Sequence, residues 1–134
     1  MEVIIFDSTK ELYEFLKETD VLNKLYLFKN TKEKDIPPDN MGYVVLDNSG
    51  NPIGAASLYE EGIGIWFNEI FEIVPEFRGQ GVGRYLYEFI KSDLEPDMIH
   101  GFTTTPENKK FWEHLGQVCI DQKTNEMIEK IKRK

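Results

Sequence analysis

Residues 71–90 read FEIVPEFRGQGVGRYLYEFI. An apolar, strand-like run stops at Pro75, and Gly79, Gly81 and Gly83 then alternate with Gln80 and Val82 before a helical pattern begins. Glycine loses more backbone freedom on folding than any other residue, so three of them this close together need a local reason. From Val82 onward, Tyr85, Leu86, Phe89 and Ile90 trace one face of a helix that must end before Pro96. A strand–loop–helix junction of this kind is an anion site. The first helical amides lack intrahelical partners, the helix dipole adds about half a positive charge, and glycines let phosphate oxygens come close. Arg78 and Arg84 flank the loop. A tight turn alone needs one or two glycines and no arginine on either side.

Two common phosphate loops do not match. A Walker loop requires Gly-Lys followed by Ser or Thr, and no such pair follows these glycines. A dinucleotide fingerprint spaces its glycines G-x-G-x-x-G after the first strand of a βαβ unit. Here the spacing is G-x-G-x-G, and three strand-like runs precede it.

Working outward, residues 3–6 (VIIF) form a short strand, and Ser8 with Glu11 has the spacing of a capping box ahead of Leu12, Phe15 and Leu16. Residues 28–40 are polar with two prolines and read as a loop holding at most one helical turn. Residues 43–47, 52–60 and 63–74, separated by NSGN and EG turn signals, read as a meander of three strands. MIHGF (98–102) is a further strand, and Thr105-Pro106 opens a helix that Gly116 closes. QVCID reads as a strand, and NEMIEKIK fits a strand or a helix. The order is β–α–βββ–α–β–α–β, an α+β fold with a mainly antiparallel sheet flanked by helices.

The 134 residues suit one domain with a single core. No run reaches the roughly 18–20 apolar residues of a membrane span, and no basic-then-apolar leader is present, so a soluble cytoplasmic protein with no membrane partner is expected. Cys119 is the only cysteine, which excludes an internal disulfide and a multi-cysteine zinc site. No metal is expected, and Cys119 reads as buried and inert rather than reactive. A formal net charge of −8 opposes non-specific nucleic-acid binding. Basic residues cluster only locally, around Lys32–Lys34, Arg78 and Arg84, Lys109–Lys110 and the terminal KIKRK. The acidic body either steers a cationic acceptor or simply maintains solubility.

The glycine segment resembles the GNAT superfamily of acetyl-CoA-dependent N-acetyltransferases. Arg78-Gly79-Gln80-Gly81-Val82-Gly83 matches that family's [RQ]-x-x-G-x-[GA] loop, and Ile73 through Arg78 matches the pattern that precedes it. A second family motif is similar to Asn108-Lys109-Lys110-Phe111-Trp112-Glu113-His114-Leu115-Gly116. The resemblance runs from about residue 41 to the end. It implies a cofactor-binding core over 41–134 and a variable acceptor-side part over 1–40.

By that resemblance the cofactor, acetyl-CoA, would pair its pantetheine arm with backbone of Phe71, Glu72 and Ile73, where the family's strand splays from its neighbour. Its pyrophosphate would rest on amides of Gln80, Gly81, Val82, Gly83, Arg84 and Tyr85, with Arg84 close by. Arg78 would support the loop or the phosphates. Asn108 is a candidate cofactor contact, although Thr105 stands where many relatives place that asparagine. The implied reaction moves an acetyl group to a primary amine of a small molecule or peptide in a ternary complex, in a monomer or homodimer. The alternative is a non-catalytic acyl-CoA-binding or regulatory module on the same fold.

Relatives take the ammonium proton with a glutamate on the fourth or fifth strand, or with bound water. Glu69 lies in an apolar strand where burial would raise its pKa, and His100 titrates in the right range, so both are candidate bases. Glu72 faces away from Glu69 only if the strand is unbroken. Trp112 stands where many relatives carry a tyrosine that protonates the leaving thiolate. An indole cannot do that, so Trp112 is either a wall of the acetyl pocket or ordinary core.

Overall fold

The computed structural model describes residues 1–131; Lys132, Arg133 and Lys134 of the basic tail lie outside that range. In chain order the elements are β1 (Glu2–Phe6), α1 (Thr9–Glu18), α2 (Tyr26–Asn30), β2 (Met41–Leu46), β3 (Pro52–Gly62), β4 (Ile65–Ile73), α3 (Val82–Leu94), β5 (Met98–Phe102), α4 (Pro106–His114), β6 (Val118–Asp121) and β7 (Glu126–Lys130). The expected order holds. The polar segment after α1 adds a short helix, α2, and the ambiguous tail is a strand that inserts between β5 and β6.

Local chemistry sets the boundaries. Ser8 Oγ accepts the Glu11 amide (3.1 Å), and Thr105 Oγ1 accepts the Asn108 amide (3.1 Å), so each helix begins at a side-chain cap. In the β2–β3 turn the Asp47 carboxylate accepts the amides of Ser49 and Asn51, both at 2.9 Å.

The seven strands form one sheet in the order β1-β2-β3-β4-β5-β7-β6. Every pairing is antiparallel except β4 with β5, which is parallel and covers only Ile65–Phe67 against Met98–His100. Beyond Phe67 the two strands separate, and β4 continues to Ile73 with β3 on one side only.

Two cores sandwich the sheet. One, under α3 and α4, gathers Tyr43, Leu58, Ile73, Leu86, Tyr87, Ile90, Ile99, Trp112 and Met127. The other, under α1 and α2, gathers Leu12, Tyr13, Leu16, Leu25, Phe28, Val44, Ala55 and Ile70. Each fully buried Leu or Phe contributes roughly 1.5–3 kcal/mol of transfer free energy. The second core contains nothing from β5, β6 or β7, so that half of the sheet is covered on one face only.

β4 carries a bulge. Ser57 pairs with Ile70 and Leu58 with Asn68, leaving Glu69 as the extra residue. An unbroken strand would place Trp66 and Phe71 on opposite faces, yet both pack on the α3–α4 core. The inserted residue restores the phase.

The three loop glycines answer to different constraints. Gly79 (φ +77°) and Gly81 (φ +81°) sit in the left-handed region with open space where a Cβ would project. A Cβ on Gly83 would lie 2.6 Å from Phe111 Cζ, so that glycine lets α3 approach the α4 aromatics. Gly83→Val should therefore lower stability by about 1–3 kcal/mol, the usual range for overpacking. Urea unfolding should also show that adding Phe111→Leu recovers part of the loss.

Candidate active site

The splay leaves one edge of β4 unpaired. Val74 N–H donates to Ile53 O on β3 (2.8 Å), whereas Ile73 O points the other way and accepts from Arg78 Nε (3.1 Å). With strand alternation, the backbone groups of Phe71 and Ile73 face the open edge, and those of Glu72 face β3. Of the three residues expected to offer backbone to a ligand strand, two do so. Arg78 fixes the end of β4 to the loop that follows.

That loop delivers its amides to the start of α3. The first backbone bond there runs from Tyr85 N–H to Gly81 O (3.0 Å). Amides from Gln80 through Arg84 precede the helical ladder, and Tyr85, expected in the same cradle, has its amide already committed. The Arg84 side chain crosses to α4, where Nη2 donates to His114 O (3.1 Å). It stabilises the negative end of that helix and ties it to the loop.

α4 packs Phe111 and Trp112 against Phe71 at ring separations of 6.0 and 4.8 Å, and Trp112 against Tyr87 at 5.1 Å. Trp112 is 7% exposed. It is core, and the pocket-wall reading gives way to it. Neither nearby phenol offers a loose proton: Tyr87 O–H donates to Glu129 Oε1 (2.6 Å), and Tyr85 O–H donates to Met1 O (2.7 Å). Asn108 is exposed one turn before Phe111, with its amide used in the Thr105 cap. Cys119 is half-buried against the α3–α4 core.

The carboxylates of β4 divide by environment. Glu72, 5% exposed, accepts the amides of Leu27 (2.9 Å) and Phe28 (3.3 Å) at the start of α2. Burial lifts its carboxyl above the ordinary range, against the pull of those amides and of Arg78. Glu72 therefore anchors the acceptor-side helices to the sheet. Glu69, at the bulge, is also held above the ordinary carboxylate range, and burial is the cause. It acts electrostatically on Tyr13 and Tyr59, which places it on the α1–α2 side of the sheet. Burial, helped by Glu33, Glu69 and Glu72, pushes the Tyr13 phenol up to about 12.

His100 is differently placed. Its Nδ1 meets Glu126 Oε2 (3.0 Å), and its Nε2 contacts Glu61 Oε1. Both ring nitrogens are thus occupied by carboxylate partners. Beside them, Asn68 Oδ1 is buried without a hydrogen-bond partner among the described residues, at the first β4 position beyond the β5 pairing. The partners of His100 and the buried Asn68 amide were not readable beforehand: 39 residues separate His100 from Glu61, and no motif joins them. A shallow groove of about 530 Å³ lined by Asn23, Lys24, Tyr26, Lys29, Asn30, Pro75 and Glu76 opens past the end of β4, away from the splay.

A family model described as an acetyltransferase (GNAT) domain matches residues 38–116, more than half of the chain. No curated protein sequence matches. Among solved structures, Tetrahymena GCN5 superposes with a TM-score of 0.75 at 11% identity, over 98% of this chain and 97% of that one. An acetyltransferase of the GNAT family from Staphylococcus aureus Mu50 gives 0.67 at 13% identity, over 98% and 100%. A Bacillus anthracis protein described as a streptothricin acetyltransferase, solved with acetyl coenzyme A, gives 0.58 at 19% identity, over 72% and 65%.

The elevated Glu69 carboxyl has a consequence for stability. The folded state holds that proton more tightly than the unfolded chain does. Its contribution is fully present below the ordinary glutamate range and is lost as pH rises through the elevated value. Glu69→Gln should match the parent protein below about pH 4 and become more stable than it near neutrality. Thermal melts at several pH values measure the difference.

Proposed function

Since the chain belongs to the GNAT acetyltransferase family, we propose that it transfers an acetyl group from acetyl-CoA to a primary amine of a small molecule or peptide within a ternary complex. The observation carrying this is the alignment of three features on β4 and its extension: a base-like carboxylate at the bulge, an unpaired backbone edge at Phe71 and Ile73, and a run of uncommitted amides from Gln80 to Arg84. The space beside Gly79 and Gly81 suits a pyrophosphate, and the open edge suits an amide-bearing arm. The acetyl coenzyme A bound to the Bacillus anthracis neighbour supports that choice of donor.

In the proposed reaction Glu69 takes a proton from the acceptor's ammonium, and the neutral amine attacks the thioester carbonyl. Ile73 N–H lies on the side where it can polarise that carbonyl. The C–N bond forms, the C–S bond breaks with its electron pair leaving on sulfur, and the surplus proton on the new amide nitrogen passes to the departing thiolate, giving a neutral amide and the free thiol. With Tyr85 and Tyr87 already hydrogen-bonded, the thiolate departs without a tyrosine acid. The acidic body, −8 overall, favours a cationic acceptor approaching over the face that carries Glu69. Those bound phenols are also what a non-catalytic acyl-CoA-binding module would tolerate, so turnover of acetyl-CoA with a panel of amines separates the two readings.

Calorimetry should show acetyl-CoA binding that Gly81→Ala weakens. Alanine at that left-handed position costs about 1–2 kcal/mol of conformational energy and sets a methyl in the ligand's path. Undiminished binding by a folded Gly81→Ala protein would contradict the cradle.

Glu69→Gln should lower kcat by roughly 10²–10⁴, the usual worth of a general base, and leave acetyl-CoA affinity nearly unchanged. The pH–rate profile should lose its acidic limb as well. A variant with the parental rate would remove Glu69 from the chemistry.

A further inference from the structure

His100, Glu61 and Glu126 form a cluster that the proposed chemistry leaves unused, and its place in the sheet is specific. The sheet consists of two parts, β1 to β4 and β5-β7-β6, joined by the three parallel pairs Ile65–Met98, Trp66–Ile99 and Phe67–His100 and, just before them, by the Asp97 and Met98 amides donating to Gly64 O. Below the sheet, the α3–α4 core draws on both parts, with Leu58 and Ile73 from one and Ile99 and Met127 from the other. Above it, the α1–α2 core stops at β4. On that upper face the join rests on side chains alone. Phe67 packs on His100 (5.2 Å) and Phe102 (6.0 Å), and the His100 ring bridges Glu61 on β3 to Glu126 on β7. His100 is the last residue of β5 that pairs with β4, at the point where the cleft opens.

We propose that His100 is a positioning residue, a strap between Glu61 and Glu126 that fixes where β4 and β5 part and so holds the open edge of β4 at the width its ligand requires. Each ring nitrogen faces a carboxylate oxygen, Nδ1 that of Glu126 and Nε2 that of Glu61. An isolated exposed ion pair contributes little, but this ring is 15% exposed, and its partners lie on strands either side of the joint. Small shifts here reach the chemistry: Glu69, Phe71 and Ile73 follow within six residues of the last paired position of β4, Phe67. The strap as a device of the reaction rests on the acetyltransferase reading; the strap as a feature of the sheet does not.

Hydrogen exchange and kinetics together test it. In His100→Ala, amides 65–67 and 98–100 should exchange about tenfold faster and kcat/KM for acetyl-CoA should fall about tenfold, short of the ~10²-fold that a 1 Å misplacement costs. His100→Arg, whose forked donors reach two carboxylates but which is no base, should restore both. Glu61→Gln with Glu126→Gln, which keeps His100, should reproduce the alanine result. Unchanged exchange in His100→Ala overturns the strap whatever the activity. Faster exchange with unchanged kcat/KM overturns its role in positioning. Equal loss of kcat in the alanine and arginine variants, with exchange unaltered, makes His100 the base instead. If the parent protein neither binds nor turns over acetyl-CoA, the functional reading fails, and exchange alone still decides whether the strap exists.

Discussion

The structure depends on a pairing that stops early. β4 and β5 share three residue pairs and then diverge, while on their other edges β4 stays paired with β3 as far as Ile73 and β5 with β7 as far as Phe102. A parallel pair is slightly less stable per residue than an antiparallel one, and here it holds three residue pairs, as few as β6 with β7. The unpaired backbone of β4 would be a liability on an ordinary edge strand. In the proposed function it is the edge that a ligand's amide-bearing arm pairs with.

The polar groups of the region are organised around that divergence. The bulge at Glu69 lets one strand serve both cores: Trp66 and Phe71 face α3 and α4, while Ile70 and Glu72 face α1 and α2. Glu72 uses its buried carboxylate to hold two amides of α2, and Arg78 and Arg84 each donate to a backbone carbonyl that ends an element. These side chains make a frame from charged residues, and among the described residues Glu69 accepts no hydrogen bond that would hold it to that frame. An ionised group in such a place lowers the stability of the fold, which is how active sites commonly relate to stability.

The aromatic residues divide the work in the same manner. Phe71, Phe111, Trp112 and Tyr87 fill the wedge beneath the cleft in tilted and edge-on contacts, the geometry that aromatic quadrupoles favour. Gly83 makes room for Phe111, so the loop and the wedge are set by one close contact. This couples the width of the cleft to the packing of α4.

Much of this was legible in the chain itself. Alternation and turn residues located the meander, Ser8 and Thr105-Pro106 marked two helix starts, and the glycine spacing beside Arg78 marked the loop and the family. These are local signals, because caps, turns and amphipathic faces are decided by residues a few positions apart. What the tertiary structure decided was non-local. The insertion of β7 between β5 and β6 and the point where β4 and β5 part are both set by how strands distant in sequence align. The fate of Trp112 followed from Phe71 and Tyr87, both remote in sequence, filling the space around it. The partners of His100, Glu61 and Glu126, likewise reach it from other strands. No periodicity carries such information, since a side chain's partners across a sheet are set by strand register, and register is a property of the folded whole.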